Sequence, residues 1–324
     1  MDSPLQDQQI TYITNSEDKM EFKILEAPTI EFNTSTCSKC GLCTKVCPTK
    51  VFKTTNGDDK VIAHTEECVL CGQCICGCPT NSIIHSAFNS RNFKRIKNNR
   101  PVTPELAFEF LSQRRSVRNY KQETPPEELL EKIVQIAGFA PGSPHHRIGW
   151  VREMTIVTGD DNMKMIRDIT AEYIQKTIRL LNSWYLKAMA NFSELAKAGI
   201  GVVPDLQMRL AQYRNKKDLI IYNAPAAIFF HAPKNSSTPQ TDCDTALQLV
   251  QLYAESFGLA TCWNGLIQGA ASGDHLKGFT KLADFLHIPT KNKCYAAITI
   301  GYPSLHLHSI PERKVDITWI NGHM

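Results

Sequence analysis

The sequence predicts an α+β protein in which a small cysteine-rich unit precedes a larger unit of helices and buried strands. Two observations support this fold class. Nine of the twelve cysteines fall between residues 37 and 78, and beyond residue 103 apolar residues recur first at helical and then at strand spacing. At 324 residues the chain exceeds the usual single-domain size, and its 42% hydrophobic content can fill a core in the larger unit.

The cysteines form two runs with one shared frame. CSKCGLCTKVCP at 37–48 and CVLCGQCICGCP at 68–79 both contain C-x2-C-x2-C-x3-C-P, and the second run begins 31 residues after the first. This frame is typical of 4Fe-4S clusters, where the fourth cysteine of each run ligates the other cluster. The predicted ligands are Cys37, Cys40, Cys43 and Cys78 for the first cluster, and Cys47, Cys68, Cys71 and Cys74 for the second.

Zinc, disulfides and degenerate empty sites are the alternatives to clusters. Zinc sites usually use two separated pairs and would leave two cysteines of each run idle. Disulfides need an oxidising compartment, whereas the start MDSPLQDQQITY has neither the basic nor the apolar segment of a secretion signal. No apolar run is long enough for a membrane helix, so we expect a cytoplasmic protein without a membrane partner. The additional Cys76 is interpreted as structural.

Residues 31–88 resemble a bacterial-type two-cluster ferredoxin, preceded by an extension at 1–30. Each CPT turn leads into a short apolar segment predicted to be a strand. Residues 89–102 are expected to be a basic linker, because RNFKRIKNNR at 91–100 has five basic residues and no acid. We favour a solvated connector over a docking patch for an acidic redox partner or nucleic acid. The net charge of +4 gives no argument for nucleic-acid binding.

In the larger unit, residues 103–324, local signals predict each element in turn. Thr103 and Pro104 begin a helix as N-cap and first helical residue, and Thr124 with the two prolines after it begins a second. Further helices are predicted within 160–220 and at 242–257, the latter ending at Gly258. Strands are predicted at 154–158, 226–230 and 294–301.

RRSVRNY at 114–120 follows the first predicted helix of the larger unit. If the chain is extended there, Arg114, Ser116 and Arg118 point to one side. Guanidinium groups match phosphate oxygens and keep their charge, so the segment suits an anionic ligand. Arginines at a helix C-terminus also complement the helix dipole without binding anything, and the segment alone does not decide between these interpretations.

The order of several segments indicates the family more strongly than any single segment does. RRSVRNY, GFAPGSPHHR, NAPAAIFF, GLATCWNG, AITIGYP and PERK follow one another in an arrangement that resembles the FMN-dependent nitroreductase family across 103–324. The resemblance implies a fusion of a ferredoxin with a nitroreductase-like domain, and FMN as cofactor. It implies these FMN-binding residues: Arg114, Arg115, Ser116, Arg118, Pro141, Gly142, Ser143, His145, Trp263, Asn264, Gly265 and Arg313.

The sequence departs from this family at two places. His145 and Arg147 stand where the family usually has asparagine and glutamine, and the stretch 190–215 is longer than in a minimal member. His145, His146, His306 and His308 are interpreted as loop residues, because no third metal ligand is placed by spacing. Three spare cysteines in apolar contexts are predicted to be core residues: Cys243, Cys262 and Cys294. We assign no catalytic side chain.

The fusion suggests a function. Clusters pass single electrons, while FMN stores two and delivers them as a hydride equivalent. We expect reduction of a nitroaromatic or quinone-type acceptor by a homodimer, as the resemblance implies. The electron donor is left open between an external ferredoxin, a flavodoxin and NAD(P)H. The alternatives are a dehalogenase, enone reductase or dehydrogenase acting on one metabolite, or a redox sensor or electron carrier.

Overall fold

The computed structural model describes residues 27–55, 58–88, 102–142 and 152–320, together with Phe93 and Ile96. These residues divide into two compact units, the first ending at Phe88 and the second containing the described residues beyond it. The predicted site residues Ser143 and His145, and also His146 and Arg147, lie outside the described residues, as does most of the basic segment 91–100. No helix within the described ranges is both long enough and apolar enough to cross a membrane.

The first unit contains two antiparallel strand pairs and two short helices. Its elements are β1 (Ile30–Phe32), α1 (Leu42–Val46), β2 (Phe52–Thr55), β3 (Asp58–Ala63), α2 (Gln73–Gly77) and β4 (Ile83–His85). Strand β1 pairs with β4, and β2 pairs with β3. The two strands predicted after the CPT turns are present as β2 and β4.

The backbone of the first unit repeats with the same 31-residue period as the cysteines. Left-handed conformations, which most residues avoid, occur at equivalent positions in both halves. They are Lys39 and Leu70 (φ 54° and 55°), Gly41 and Gly72 (68° and 69°), and Lys50 and Asn81 (55° and 52°). Glycines 41 and 72 are the N-caps of α1 and α2. The repeat therefore extends from the sequence to the turns that shape each cysteine loop.

The second unit is a four-stranded antiparallel sheet covered by helices, which confirms the predicted α+β class. The strands are β5 (Glu153–Thr158), β6 (Ala226–Pro233), β7 (Ala260–Trp263) and β8 (Asn292–Gly301). The helices are α3 (Pro104–Gln113), α4 (Glu127–Val134), α5 (Asp160–Leu181), α6 (Trp184–Met189), α7 (Glu194–Gly201), α8 (Val203–Arg214), α9 (Pro239–Glu255), α10 (Gly265–Ser272) and α11 (Lys281–Phe285). The order of strands across the sheet is β5-β6-β8-β7.

The sheet is buried on both faces. Along β6, Ala227 and Phe229 belong to a core shared with α5, α8, α10 and α11, whereas Ile228 and Phe230 belong to a second core shared with α4 and α9. Successive side chains of a strand point to opposite faces, so both sets must be apolar. This explains why AAIFF is a continuous apolar run rather than an alternating one.

The predicted helix starts were right for α3 and wrong in detail for α4. The Thr103 hydroxyl accepts a hydrogen bond from the Leu106 N–H at 3.3 Å, which makes it the N-cap of α3. Before α4, the N-cap is Pro126, which has no capping side chain, and Thr124 does not cap the helix. Two consecutive prolines hold the chain extended at this point, so the threonine lies too early to reach the first turn.

Candidate functional site

Four cysteines of the first unit line one cavity. Cys68, Cys71 and Cys74 of the second run line one cavity together with Cys47, the last cysteine of the first run. Apolar side chains, among them Ile30 and Val51, complete the wall. The cavity thus draws its thiols from both runs, which is the crossed arrangement of a two-cluster protein.

The electrostatic neighbours of the thiols also group cysteines of the first unit. The pKa of Cys74 is raised to about 12 by burial and by the nearby thiols of Cys71, Cys68 and Cys47, with a backbone hydrogen bond opposing. In the first run, burial raises the pKa of Cys43, backbone N–H groups oppose it, and the thiols of Cys37 and Cys40 add to the rise. Thiols that resist ionisation in this way need a cationic partner to be held as thiolates, and iron supplies one.

Backbone N–H groups point at the last cysteine of each run. Val51 N–H donates to Cys47 Sγ at 3.3 Å, and Ser82 N–H donates to Cys78 Sγ at 3.2 Å. Burial raises the pKa of Cys78, but the Ser82 N–H and the Thr80 hydroxyl outweigh it, and the net effect is a lowered pKa. Hydrogen bonds to sulfur stabilise thiolate ligands.

Among the described residues, no group of three or more His, Cys, Asp or Glu side chains is arranged to hold a single metal ion. A cube of four irons and four sulfides is wider than a single ion, so its four thiolates stand around a cavity instead of meeting at one point. The cavity lined by Cys47 and the second run has that form.

In the second unit, the RRSVRNY segment lies along the free edge of β7. Ser116 forms a parallel bridge with Thr261, and Val117 N–H donates to the Thr261 carbonyl at 3.0 Å. This extended pairing brings the arginines of the segment to the strand that carries Cys262 and Trp263. The two segments are separated by more than 140 residues in the chain, and the sheet edge joins them.

Three arginines concentrate positive charge beside β7. Burial raises the pKa of the Cys262 thiol, and the charges of Arg118, Arg114 and Arg209 together with the Ser116 hydroxyl oppose that rise. Neither Arg114 nor Arg118 forms an ion pair with an acid in the described part of the chain. Guanidinium groups next to an extended backbone provide the donors and the charge that a phosphate requires.

Arg115 bonds to the end of α3. Its Nη1 donates to the carbonyls of Ser112 and Arg114 at 2.6 and 2.7 Å, which satisfies the end of α3. Its Nη2 is buried without a hydrogen-bond partner among the described residues. Burial raises the pKa of Glu255, and the charges of Arg114 and Arg115 oppose the rise. Arg115 therefore serves the helix terminus, the alternative that the sequence left open for these arginines.

A loop that the sequence did not reveal completes the arginine group. The Arg118 guanidinium lies 5.7 Å from the centre of the Tyr222 ring, and the Tyr222 hydroxyl accepts a hydrogen bond from Arg209 Nη1 at 2.9 Å. Tyr222 and Asn223 both have left-handed backbones, with φ of 58° and 52°. The carboxylate of Asp218 holds this loop by accepting backbone N–H bonds, and Arg209 adds a bond to the Leu219 carbonyl at 2.9 Å.

Comparison with known families agrees with this two-part organisation. A model of the nitroreductase family matches residues 111–302, and a model of the 4Fe-4S dicluster domain matches residues 36–83. The chain belongs to the nitroreductase family. It is an oxidoreductase with a 4Fe-4S dicluster domain placed before the nitroreductase domain.

Individual relatives are distant. The chain is 23% identical to Nitroreductase NfnB of Mycolicibacterium smegmatis over 172 residues, which are 50% of this chain and 72% of that protein. An FMN-dependent nitroreductase of Clostridium difficile is 17% identical with a TM-score of 0.48, covering 67% of this chain and all of that one. A nitroreductase of Bacteroides fragilis with bound FMN is 19% identical with a TM-score of 0.47, covering 66% and 98%.

Within the nitroreductase domain, the residues predicted around GLATCWNG have different surroundings. Asn264 is buried, and its side chain caps α10 through Leu266 and Ile267 N–H groups while Nδ2 donates to the Ile220 carbonyl at 2.7 Å. Both ends of this amide are thus used inside the protein, and the residue ties α10 to the loop of Asp218. Trp263 is half exposed and donates to Gln268 at 3.0 Å, and Gly265 has open space where a Cβ would lie.

The structure does not bring every predicted residue to the arginine group. The Pro141 carbonyl accepts a hydrogen bond from Thr245 at 2.9 Å, so the Pro141–Gly142 turn lies at the first turns of α9. The arginines act on Glu255, ten residues after Thr245 on this helix, which corresponds to a rise of about 15 Å. Arg313 lies in the exposed stretch 304–320, away from regular structure.

Proposed function

We propose that the chain is an FMN-dependent oxidoreductase in which electrons pass from two 4Fe-4S clusters to the flavin and then to a small acceptor, either a nitroaromatic or a quinone. The observation that carries this proposal is that Arg114, Ser116 and Arg118 lie together beside β7 of the nitroreductase domain. In the dicluster domain, which comes earlier in the sequence, four cysteines line one cavity.

The cysteines divide into two ligand sets in this proposal. Cys47, Cys68, Cys71 and Cys74 hold the second cluster, because they line one cavity. Cys37, Cys40 and Cys43 hold the first cluster together with Cys78, whose thiolate is favoured by the Ser82 N–H. Cys76 lies outside the cysteine frame that the two runs share and does not line the cavity, so we assign it no ligand role.

The arginine group receives the flavin. Bound FMN would supply the exchange of single electrons for a two-electron reduction. Arg114 and Arg118 would hold bound FMN, and Arg118, held over the Tyr222 ring, would stabilise negative charge on it. Arg209 keeps the Tyr222 hydroxyl in place and adds its charge to the group. Cys262 stays a buried thiol behind the site and takes no part in the chemistry.

A homodimer accounts for the separation of Pro141 from the arginines. Thr245, which contacts the Pro141 turn, and Glu255, on which the arginines act, are ten residues apart on α9, so the two features lie about 15 Å apart along the helix axis in one chain. A second copy can present the Pro141–Gly142 turn to the arginines of the first, and Ser143 and His145 follow that turn in the sequence. Arg313, exposed in the C-terminal stretch, is available to the partner in the same way.

Anaerobic stopped-flow absorbance tests the proposal. The holoprotein is fully reduced, freed of excess reductant and mixed with a nitroaromatic, while cluster and flavin absorbance are followed separately. We expect flavin absorbance to recover first and cluster absorbance to follow, with product formed in proportion to the electrons lost. Recovery of flavin absorbance while the clusters stay reduced would contradict the electron path. A panel of nitroaromatics, quinones, enones and halogenated phenols then separates a broad nitroreductase from an enzyme for one metabolite.

A further inference from the structure

His85 lies against a cysteine of the second ligand set and is not itself one of the proposed ligands. It is the last residue of β4, is 4% exposed, and lines the same cavity as Cys47 and the second run. Its Nε2 is 3.4 Å from Cys68 Sγ. An imidazole within hydrogen-bond distance of a thiolate ligand is positioned to change the electronic properties of whatever the thiolate binds.

The tautomer of His85 follows from its second hydrogen bond. Ala87 N–H donates to His85 Nδ1 at 3.1 Å, so Nδ1 must carry a lone pair and cannot carry a proton. In a neutral imidazole the proton is then on Nε2. The Nε2–H group therefore donates to Cys68 Sγ and does not accept from it. The Phe88 ring packs edge-on against the imidazole with centroids 5.0 Å apart.

The internal repeat makes this donor specific to one half of the unit. Cys68 is the counterpart of Cys37, and the residue 31 positions before His85 is Thr54, which has no imidazole. By contrast, the backbone donors to Cys47 and Cys78 occur at equivalent positions with lengths that differ by only 0.1 Å. The two sets thus share their backbone donors and differ at His85.

We propose that His85 is a positioning residue that raises the reduction potential of the second cluster through its hydrogen bond to Cys68. This inference rests on the proposed binding of a cluster by Cys47, Cys68, Cys71 and Cys74. A donor to a ligand sulfur stabilises the more negative, reduced cluster, and hydrogen bonds to sulfur are among the factors that set cluster potentials. The second cluster is accordingly the one that holds the electron when only one of the two is reduced.

The test is an EPR-monitored redox titration of the full-length holoprotein at fixed pH. It compares wild type with His85→Phe and His85→Met, which remove the donor, with His85→Gln, which offers an amide donor, and with Phe88→Leu. The last variant alters the packing around the imidazole and keeps the hydrogen bond. The first cluster serves as an internal reference in every sample, and iron and sulfide are counted beforehand.

We expect a tenfold lower ratio of reduced to oxidised second cluster in His85→Phe and His85→Met at a given potential, equal to about 59 mV for one electron. The first cluster should be unchanged, His85→Gln should restore most of the ratio, and Phe88→Leu should match wild type. The inference would be overturned if His85→Phe or His85→Met kept both clusters and the ratio of reduced to oxidised second cluster did not change. It would also be overturned if the potentials of both clusters shifted equally. A failure of the proposed cluster binding is distinct, because wild type itself would then contain fewer than about eight irons per chain, and a failure of electron transfer to the flavin would appear in the stopped-flow experiment.

Discussion

The loop held by Asp218 offers the sharpest test of how the arginine group is built. The Asp218 side chain is 4% exposed, and its carboxylate accepts N–H bonds from Ile220, Ile221 and Asn223 at 2.9, 3.0 and 2.8 Å. Arg167 adds an ion pair at 3.3 Å. Removal of one partner of such a buried, paired charge costs about 3–5 kcal/mol. We therefore expect Asp218→Ala to lower the free energy of unfolding of the nitroreductase domain by that amount.

The conservative variant Asp218→Asn refines the estimate. Oδ1 serves Ile220 and Ile221, whereas Oδ2 serves Asn223 and Arg167. An amide that keeps Oδ1 as its oxygen places an NH2 group against the two donors at Oδ2. Each unsatisfied buried donor costs about 1–3 kcal/mol, so two of them give an expected loss of roughly 2–6 kcal/mol. The loop carries Tyr222 below Arg118, and weaker FMN binding should accompany the loss of stability.

Guanidinium denaturation followed by tryptophan fluorescence measures this loss. All four tryptophans lie beyond residue 149, so the signal reports on the nitroreductase domain. Asp205→Asn is the matched control, because it removes an i,i+4 ion pair with Arg209 from an aspartate that is 52% exposed. That pair should contribute less than about 1 kcal/mol. If Asp218→Ala costs no more than Asp205→Asn, the loop is not held by its carboxylate and the reasoning is wrong.

Three further predictions concern pH, the arginine group and the cysteine sets. Burial lowers the pKa of His231, with Glu153 opposing, so its folded pKa lies below its unfolded value of about 6.5. Denaturation midpoints should be steady above pH 7 and fall as the pH drops below about 6.5, and His231→Gln should flatten that slope. Arg118→Ala should weaken FMN binding on the order of tenfold in a fluorescence titration, about 1.4 kcal/mol, and full affinity would contradict its placement at the flavin. Cys78→Ala should lose cluster iron, whereas Cys76→Ala should keep the wild-type content, and equal losses would refute the ligand sets.

The sequence predicted well where the signal was periodic, and its local cap signals were right for α3 but not for α4. The cysteine frame repeats at a fixed offset, and the same offset reappears in the left-handed residues Lys50 and Asn81. Thr103 capped α3 as expected, because an N-cap needs only a hydroxyl three residues before its donor. The strand AAIFF was identified from a continuous apolar run, and burial on both faces of β6 accounts for that run.

The sequence did not predict those members of the arginine group whose partners come from other elements of the fold. Arg209 and Tyr222 were not identified, because the Arg209 bonds go to a loop that begins after the end of α8, and that loop depends on left-handed conformations at non-glycine residues. Asn264 was predicted to lie at the cofactor, yet its amide is consumed by the α10 cap and by Ile220. Sequence spacing locates a turn, but only the fold decides which polar atoms of that turn are already satisfied.

The two halves of the first unit share one cysteine frame and can still differ in chemistry. Duplication preserves what the backbone supplies, so Cys47 and Cys78 keep equivalent N–H donors in the two halves. Side chains outside the frame are free to diverge, and at one such position the first half has Thr54 and the second has His85. Since hydrogen bonds to sulfur contribute to the potential of a cluster, a single substitution beyond the ligands can separate two potentials without disturbing either ligand set. A direction for electron flow can therefore arise inside a nearly symmetric unit.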